Sequence, residues 1–494
     1  MTPRPFASHA AWLLAAALAS AGCADTRAPA RTLTLADCHL PKLAQTLSCG
    51  TLEVPENRAM PAGRKLALSV IVLPANTLSP KPDPLFVLAG GPGQAASSIA
   101  DFAATLSDVR TTRDIVLVDQ RGTGRSAPLD CAAFRRDAGL AAALEADPRP
   151  RAAACAAELM RRGVDLTQYT TTTFIADLED VRRALAYPRI NLWGGSYGTR
   201  VAQEYVRRHA DVIRSVVLDG VAPPRMIVTL DVWPTREHVI DGVIAACARS
   251  PACNAAHPAL SHSLATIEQA LGPQGRDITL AMPRNGEAQS LHLTFDALLS
   301  ALQLIVYQPE MAALLPEILS RAERGDYAPL LALLAMFDDS FEDSINAALH
   351  YSVTCAEDVP RITPAARERV LANATIARLV SQLIDVCGAW PRGAMPADFA
   401  TPLASDIPML LLSGGLDPVT PPAYAAEVAA TLQHAKSIVA PGYGHIVSSH
   451  GCAPRLVARF IDSAGFDTLP QSCIEHLAHS APPLLWPDRL GARP

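Results

Sequence analysis

Short apolar runs alternate with amphipathic stretches along the first half of the chain. Leu66 to Leu73 (LALSVIVL), Leu85 to Leu88 (LFVL), Asp114 to Val118 (DIVLV), Ile190 to Trp193 (INLW) and Ile213 to Leu218 (IRSVVL) read as strands, being rich in β-branched and aliphatic residues. Phe174 to Leu185 and the stretch through Arg208 carry apolar residues at helical spacing. Buried strands alternating with helices predict an α/β architecture, a mostly parallel sheet with helices on both faces. After Pro223-Pro224 the pattern turns mainly helical, as in Phe295 to Val306 and Met311 to Leu334. The strand rhythm returns at Ile407 to Leu412 (IPMLLL) and Ser437 to Ala440 (SIVA). The expected organisation is a core in two parts, 30–222 and 401–494, interrupted by a helical cap insert at 223–400, placed over the carboxyl ends of the strands where ligands bind in such sheets.

The amino end reads as a targeting segment, expected at residues 1–22. Arg4 supplies a positive charge, and Ala10 to Ala19 form an apolar run of about ten residues, a signal-peptide core rather than the roughly 20 that span a bilayer. Ala19-Ser20-Ala21 fits ordinary signal peptidase. Ala21-Gly22-Cys23 resembles a lipoprotein box, which would place a lipid anchor on Cys23. Both predict export, to the periplasm, the envelope surface or the medium.

Ten further cysteines fall in sequence-local couples: Cys38/Cys49, Cys131/Cys155, Cys247/Cys253, Cys355/Cys387 and Cys452/Cys473. Proximity in an oxidising compartment suggests disulfides, and no couple has the C-x2-C spacing of a zinc ribbon. Composition is that of a globular chain, 49% hydrophobic and 18% charged, and a net charge of −6 excludes the basic face of a nucleic-acid binder. No cofactor is expected, since Gly122-Thr123-Gly124 lacks the lysine of a P-loop and no histidines stand at H-E-x-x-H spacing.

The candidate chemistry sits in three loops. Gly194-Gly195-Ser196-Tyr197-Gly198 is a G-x-S-x-G turn between a strand and a helix, which holds the serine oxygen exposed above the sheet. A serine hydroxyl needs a base, and the base an orienting carboxylate. Asp417 follows the IPMLLL strand and His445 follows the SIVA strand, so both arrive at the same sheet edge as Ser196, in the chain order Ser, acid, His. Asp219, closing the strand after the nucleophile, is the rival acid, and His450 the rival base. An oxyanion needs N–H donors: the amide of Tyr197, and one from Gly90-Gly91-Pro92-Gly93, with Gly91 favoured and Gly90 the alternative.

AGGPGQ, DQRGTGRS, NLWGGSYGTRVAQEY, SVVLDGV, SGGLDPVTPP and GYGHIV together resemble the proline iminopeptidase and tripeptidyl aminopeptidase group of α/β-hydrolases. The resemblance runs from Asp83 to Val221 and from Ile407 to Cys473. It implies a triad of Ser196, Asp417 and His445, an oxyanion hole from Gly91 and Tyr197, a helical cap, and small peptides with free amino ends as substrates. Ala89 stands where proline-preferring members carry His, which leans toward the tripeptidyl type. An aminopeptidase needs an anion for the substrate ammonium, and Glu357 and Asp358 of the insert are the candidates, beside the plainer reading of solvated charges. A carboxylesterase on the same triad, acting on small acyl esters, and a non-catalytic envelope binding protein are the competing readings.

Overall fold

The computed structural model describes residues 1–2, 33–41, 43–134, 147–281, 286–338 and 345–491. The expected leader, beyond its first two residues, and Cys23 lie outside the described residues.

Nine strands form one sheet: β1 (Ala36–Cys38), β2 (Leu47–Pro55), β3 (Lys65–Leu73), β4 (Leu85–Leu88), β5 (Ile115–Val118), β6 (Ile190–Gly195), β7 (Ile213–Asp219), β10 (Met409–Gly414) and β11 (Ala435–Ala440). Their spatial order is β1-β2-β3-β5-β4-β6-β7-β10-β11. From β5 to β11 every neighbouring pair is parallel. The strands of that region are buried end to end in β4, β5, β6 and β10, as continuous apolar runs covered on both faces should be.

Alternate residues feed two cores. Phe86, Leu88, Val116, Leu192, Val216 and Leu411 face one, against the helices Thr171–Ala184 and Tyr197–His209. Leu85, Val87, Ile115, Leu117, Val217 and Leu412 face the other, against the helix Ala453–Ser463. The period-two switch is what a pleated strand imposes.

Sequence pattern missed two features. The amino-terminal β1 and β2 extend the sheet antiparallel through β3. Between β7 and β10 the chain is mostly helical, yet it also contains a hairpin, β8 (Arg276–Ala281) with β9 (Ala288–Leu293). That intervening stretch does not pack as one unit. Val239 to Leu334 supply a core of their own, whereas Leu349, Val353, Val386 and Trp390 join the main core. The helices Ala347–Glu357 and Ala374–Ala389 are thus built into the body of the fold.

The five expected disulfides close, Cys38–Cys49, Cys131–Cys155, Cys247–Cys253, Cys355–Cys387 and Cys452–Cys473. Among the described residues no helix is long and apolar enough to cross a membrane.

Candidate active site

Ser196 follows β6 and precedes the helix Tyr197–His209, with φ 56° and ψ −123°. A non-glycine residue held at positive φ is strained, and the surrounding contacts explain how it is held. Its N–H donates to the carbonyl of Asp219 at 2.9 Å. The turn is tight enough that a β-carbon on Gly198 would stand 2.1 Å from the carbonyl oxygen of Leu88, and one on Gly194 would stand 2.3 Å from that of Gly198. Glycine at both positions is a requirement of that approach.

Asp417 lies in the loop after β10, buried, with a full set of donors. The N–H groups of Val419 and Thr420 each reach Oδ1 at 2.8 Å, and the Thr420 hydroxyl reaches Oδ2 at 2.7 Å. His445 lies in the loop after β11. Its Nδ1 stands 2.9 Å from Oδ2 and 3.0 Å from Oδ1 of Asp417. A carboxylate at that nitrogen selects the tautomer with the proton on Nδ1 and leaves Nε2 as the basic nitrogen. The His445 N–H donates to the Tyr307 carbonyl at 3.2 Å, and the two rings meet edge to face at 5.4 Å. Its Cε1 is 3.1 Å from where a β-carbon on Gly220 would be. Gly220 directly follows Asp219, which is in register with Gly195 on β6 and with Leu412 on β10. The sheet therefore delivers Ser196, Asp417 and His445 to one edge.

The rivals do other work. The Asp219 carboxylate is buried and accepts the N–H groups of Val447 at 2.9 Å and Ser448 at 2.7 Å, with the Ser448 hydroxyl also on it. Burial pushes its pKa up. His450 is exposed, its ring tilted against that of Tyr443 at 5.3 Å.

Gly90 adjoins Ser196, since a β-carbon there would stand 3.2 Å from Cβ of that residue. The Gly90 N–H is donated to Gln94 Oε1 at 3.0 Å, whereas that of Gly91 has no acceptor among the described residues. Tyr197, as the first helical residue, has no intrahelical acceptor for its N–H. Its phenol is anchored below, 2.6 Å from the Thr171 hydroxyl.

Glu357 and Asp358 close the helix Ala347–Glu357, and both side chains are wholly buried. Glu357 accepts the Thr171 N–H at 2.7 Å and its hydroxyl at 2.9 Å. Asp358 accepts Arg200 at 2.9 Å, Arg361 at 3.1 Å and the Val228 N–H at 3.0 Å. Every oxygen has a protein donor, so the expectation of an open anion for a substrate ammonium does not match this packing. These carboxylates tie the intervening stretch to the core. Burial pushes the Glu357 carboxyl up to about 7, against the pull of Arg200 and of the Thr171 donors.

The DQRGTGRS segment is also structural. Arg121 is fully buried and holds Asp177 through two bonds of 2.6 and 2.7 Å, while Asp119 accepts the N–H groups of Ser97 and Arg125. Among the described residues no cluster of three or more His, Cys, Asp or Glu could hold a metal ion.

Similarity to known proteins follows the same lines. The tripeptidyl aminopeptidase of Streptomyces lividans is 31% identical over 206 residues, which cover 38% of this chain but only 37% of that protein. The serine protease Hip1 of Mycobacterium tuberculosis is 25% identical over 408 residues, 76% of each chain. The crystal structure of a proline iminopeptidase from Mycobacterium smegmatis overlaps 84% of this chain and 98% of its own, at 17% identity and a TM-score of 0.41. The family described as alpha/beta hydrolase fold matches residues 83–450, a span holding Ser196, Asp417 and His445, and the chain belongs to that family.

Proposed function

We propose that this chain is an exported serine aminopeptidase of the tripeptidyl type, hydrolysing peptide bonds near free amino termini through an acyl-enzyme. The observation that carries the reading is the pairing of His445 Nδ1 with Asp417 at 2.9 Å beside a serine held at φ 56°. The relatives named as peptidases support the reaction class. Five disulfides support export, because such bonds persist in oxidising compartments.

In this reading Ser196 Oγ attacks the scissile carbonyl as its proton passes to His445 Nε2. The charge that develops on the carbonyl oxygen is met by the N–H groups of Tyr197 and Gly91. Collapse of the intermediate breaks the C–N bond, and His445 returns the proton to the departing amine. Water, activated by the same imidazole, then frees the acyl group. Asp417 keeps the imidazole in the productive tautomer throughout. Residues 223–400 would act as a cap that limits substrate size, and Cys23 as a lipid attachment point on the mature chain.

The test is a chromogenic panel with the purified mature protein: Pro-, Ala-, Ala-Ala-Pro- and Ala-Ala-Ala-anilides, each free and amino-blocked, and a short-chain nitrophenyl ester. Cleavage of the free tripeptide anilides but not the blocked ones, abolished by Ser196→Ala, is the expected result. Ester cleavage with every anilide untouched would replace the peptidase by an esterase on the same three residues.

A further inference from the structure

Three helices line a partly open cavity of about 140 Å³. The helix Val228–Arg249 contributes Val232, Trp233 and Arg236, spaced to share one face; Ala347–Glu357 contributes His350 and Thr354; Ala374–Ala389 contributes Leu383. Two of these residues reach the candidate catalytic loops, His350 directly and Arg236 through Tyr307. The His350 ring bonds the carbonyl of Pro92, in the loop that carries Gly91, at 3.2 Å. Arg236 donates to the Tyr307 hydroxyl at 2.8 Å, and it is the Tyr307 carbonyl that holds the His445 N–H. The cavity is thus bracketed by the oxyanion loop on one side and by the support of the histidine on the other.

Its charge is unbalanced. Arg236 is the one lining residue that is always ionised, and no lining residue is acidic. Burial pushes the pKa of His350 down, which keeps that ring neutral. The other partner of Arg236 is also uncharged, Gln303 Oε1 at 2.6 Å. Its Nε is buried with no acceptor among the described residues. Two fully buried guanidiniums of this fold meet carboxylates, Arg121 with Asp177 and Arg200 with Asp358, whereas Arg236 meets only neutral groups. A guanidinium facing a cavity with an unsatisfied donor and no counter-ion among the described residues is a site prepared for an anion. A cavity of about 140 Å³ has room for a short side chain.

Resting on the peptidase reading above, we infer that Arg236 recognises a carboxylate on the substrate peptide, so that the enzyme prefers peptides carrying an acidic side chain next to the bond it cleaves. Trp233 and Leu383 cover the methylene part of that side chain, and Arg236 takes its charged end.

The experiment compares kcat/KM for tripeptide anilides with Glu or Gln at each of the three positions in turn, in the wild type and in Arg236→Gln and Arg236→Lys. Active sites are titrated with a fluorophosphonate, so partial misfolding cancels in each Glu-to-Gln ratio. The expected result is a preference for Glu of about tenfold at the position that forms the anilide bond, falling to near unity in Arg236→Gln and partly kept in Arg236→Lys; a preference confined to another position would overturn the placement next to the cleaved bond. Free against amidated peptides form a second arm. A carboxyl-end preference that depends on Arg236 would still assign it to a carboxylate, with the substrate's own terminus as the source. Peptides cleaved with equal Glu and Gln rates and no effect of the free terminus, or a preference that survives Arg236→Gln, would overturn the assignment while leaving the peptidase intact. If no peptide is cleaved, the peptidase reading fails, and nitrophenyl hemisuccinate against its methyl ester reads Arg236 independently; equal rates there overturn the assignment too.

Discussion

The carbonyl of Asp219 accepts the main-chain N–H of Ser196 at 2.9 Å, and three donors on the other side of the same residue belong to the histidine loop. Asp219 therefore joins the two loops whose separation sets the distance between Ser196 and His445, the proposed nucleophile and base. Ile446, next to His445, sits at φ 72°, a strained conformation for a β-branched residue. The Asp219 carboxylate holds the two N–H groups that follow it and so supports that conformation.

Replacing Asp219 by Asn would turn an amide N–H toward the donors of Val447 or Ser448. The expected outcome is a fall in kcat of about 100-fold with KM changed little, the size of effect that a displacement near 1 Å produces. Labelling of Ser196 by a fluorophosphonate should slow in parallel. An unchanged kcat in a folded variant would show that the loop holds its place without this contact.

Asp417→Asn tests the pairing itself. Asn can keep its oxygen on Val419 and Thr420, so the loop survives, but its N–H₂ would face His445 Nδ1 and drive the imidazole proton onto Nε2. A base protonated at the wrong nitrogen cannot accept from Ser196. Turnover should fall by about 10⁴-fold with the melting temperature nearly unchanged. A loss of less than tenfold would mean that Asp219 or another group can serve as the acid.

The strands β3 to β7, β10 and β11, the glycine-framed serine, and the loops of Asp417 and His445 were legible in the sequence. Each lies at the end of a buried apolar run, and burial on both faces writes itself as continuous hydrophobicity. The antiparallel β1 and β2 were not legible, because an edge hairpin alternates weakly and β1 is three residues long. Nor was the fate of Glu357 and Asp358. Two adjacent acids on a helix end look the same whether solvated or buried, and what decides it is Arg200, 157 residues upstream of Glu357. The role of Asp219 was hidden for a similar reason. Its position at a strand end suits an acid of the triad, and only the register of β6, β7 and β10 shows that it faces Val447 and Ser448.

The Cys355–Cys387 bridge joins the helix that carries Glu357 to the helix that lines the cavity with Leu383. It closes a loop of sequence separation 32. By the loop-entropy relation its removal should cost about 4 kcal/mol, read as a shift in the urea midpoint of a Cys355→Ala, Cys387→Ala double variant. KM for tripeptides should rise more than kcat falls, because the cavity wall loosens while Ser196, Asp417 and His445 keep their own supports. Equal loss in both constants would point to general unfolding instead.

Glu357 gives the stability a pH dependence of known sign. Its folded pKa stands near 7, raised by burial from an ordinary value of 4.5. Between those two values the native state binds the proton more tightly than the unfolded chain does. Stability from this group is therefore complete below about pH 4.5 and is lost as pH rises through about 7, by about 3 kcal/mol in all at roughly 1.4 kcal/mol per unit. Glu357→Gln removes the ionisation and keeps an acceptor for the Thr171 N–H, while the Thr171 hydroxyl can turn to the Tyr197 phenol it already contacts. Chemical denaturation at a series of pH values should show the variant gaining on the wild type from pH 5 to pH 8, with the two converging in acid. A difference that stays constant across that range would show that Glu357 is already ionised at the lower end, held so by Arg200 at 3.7 Å.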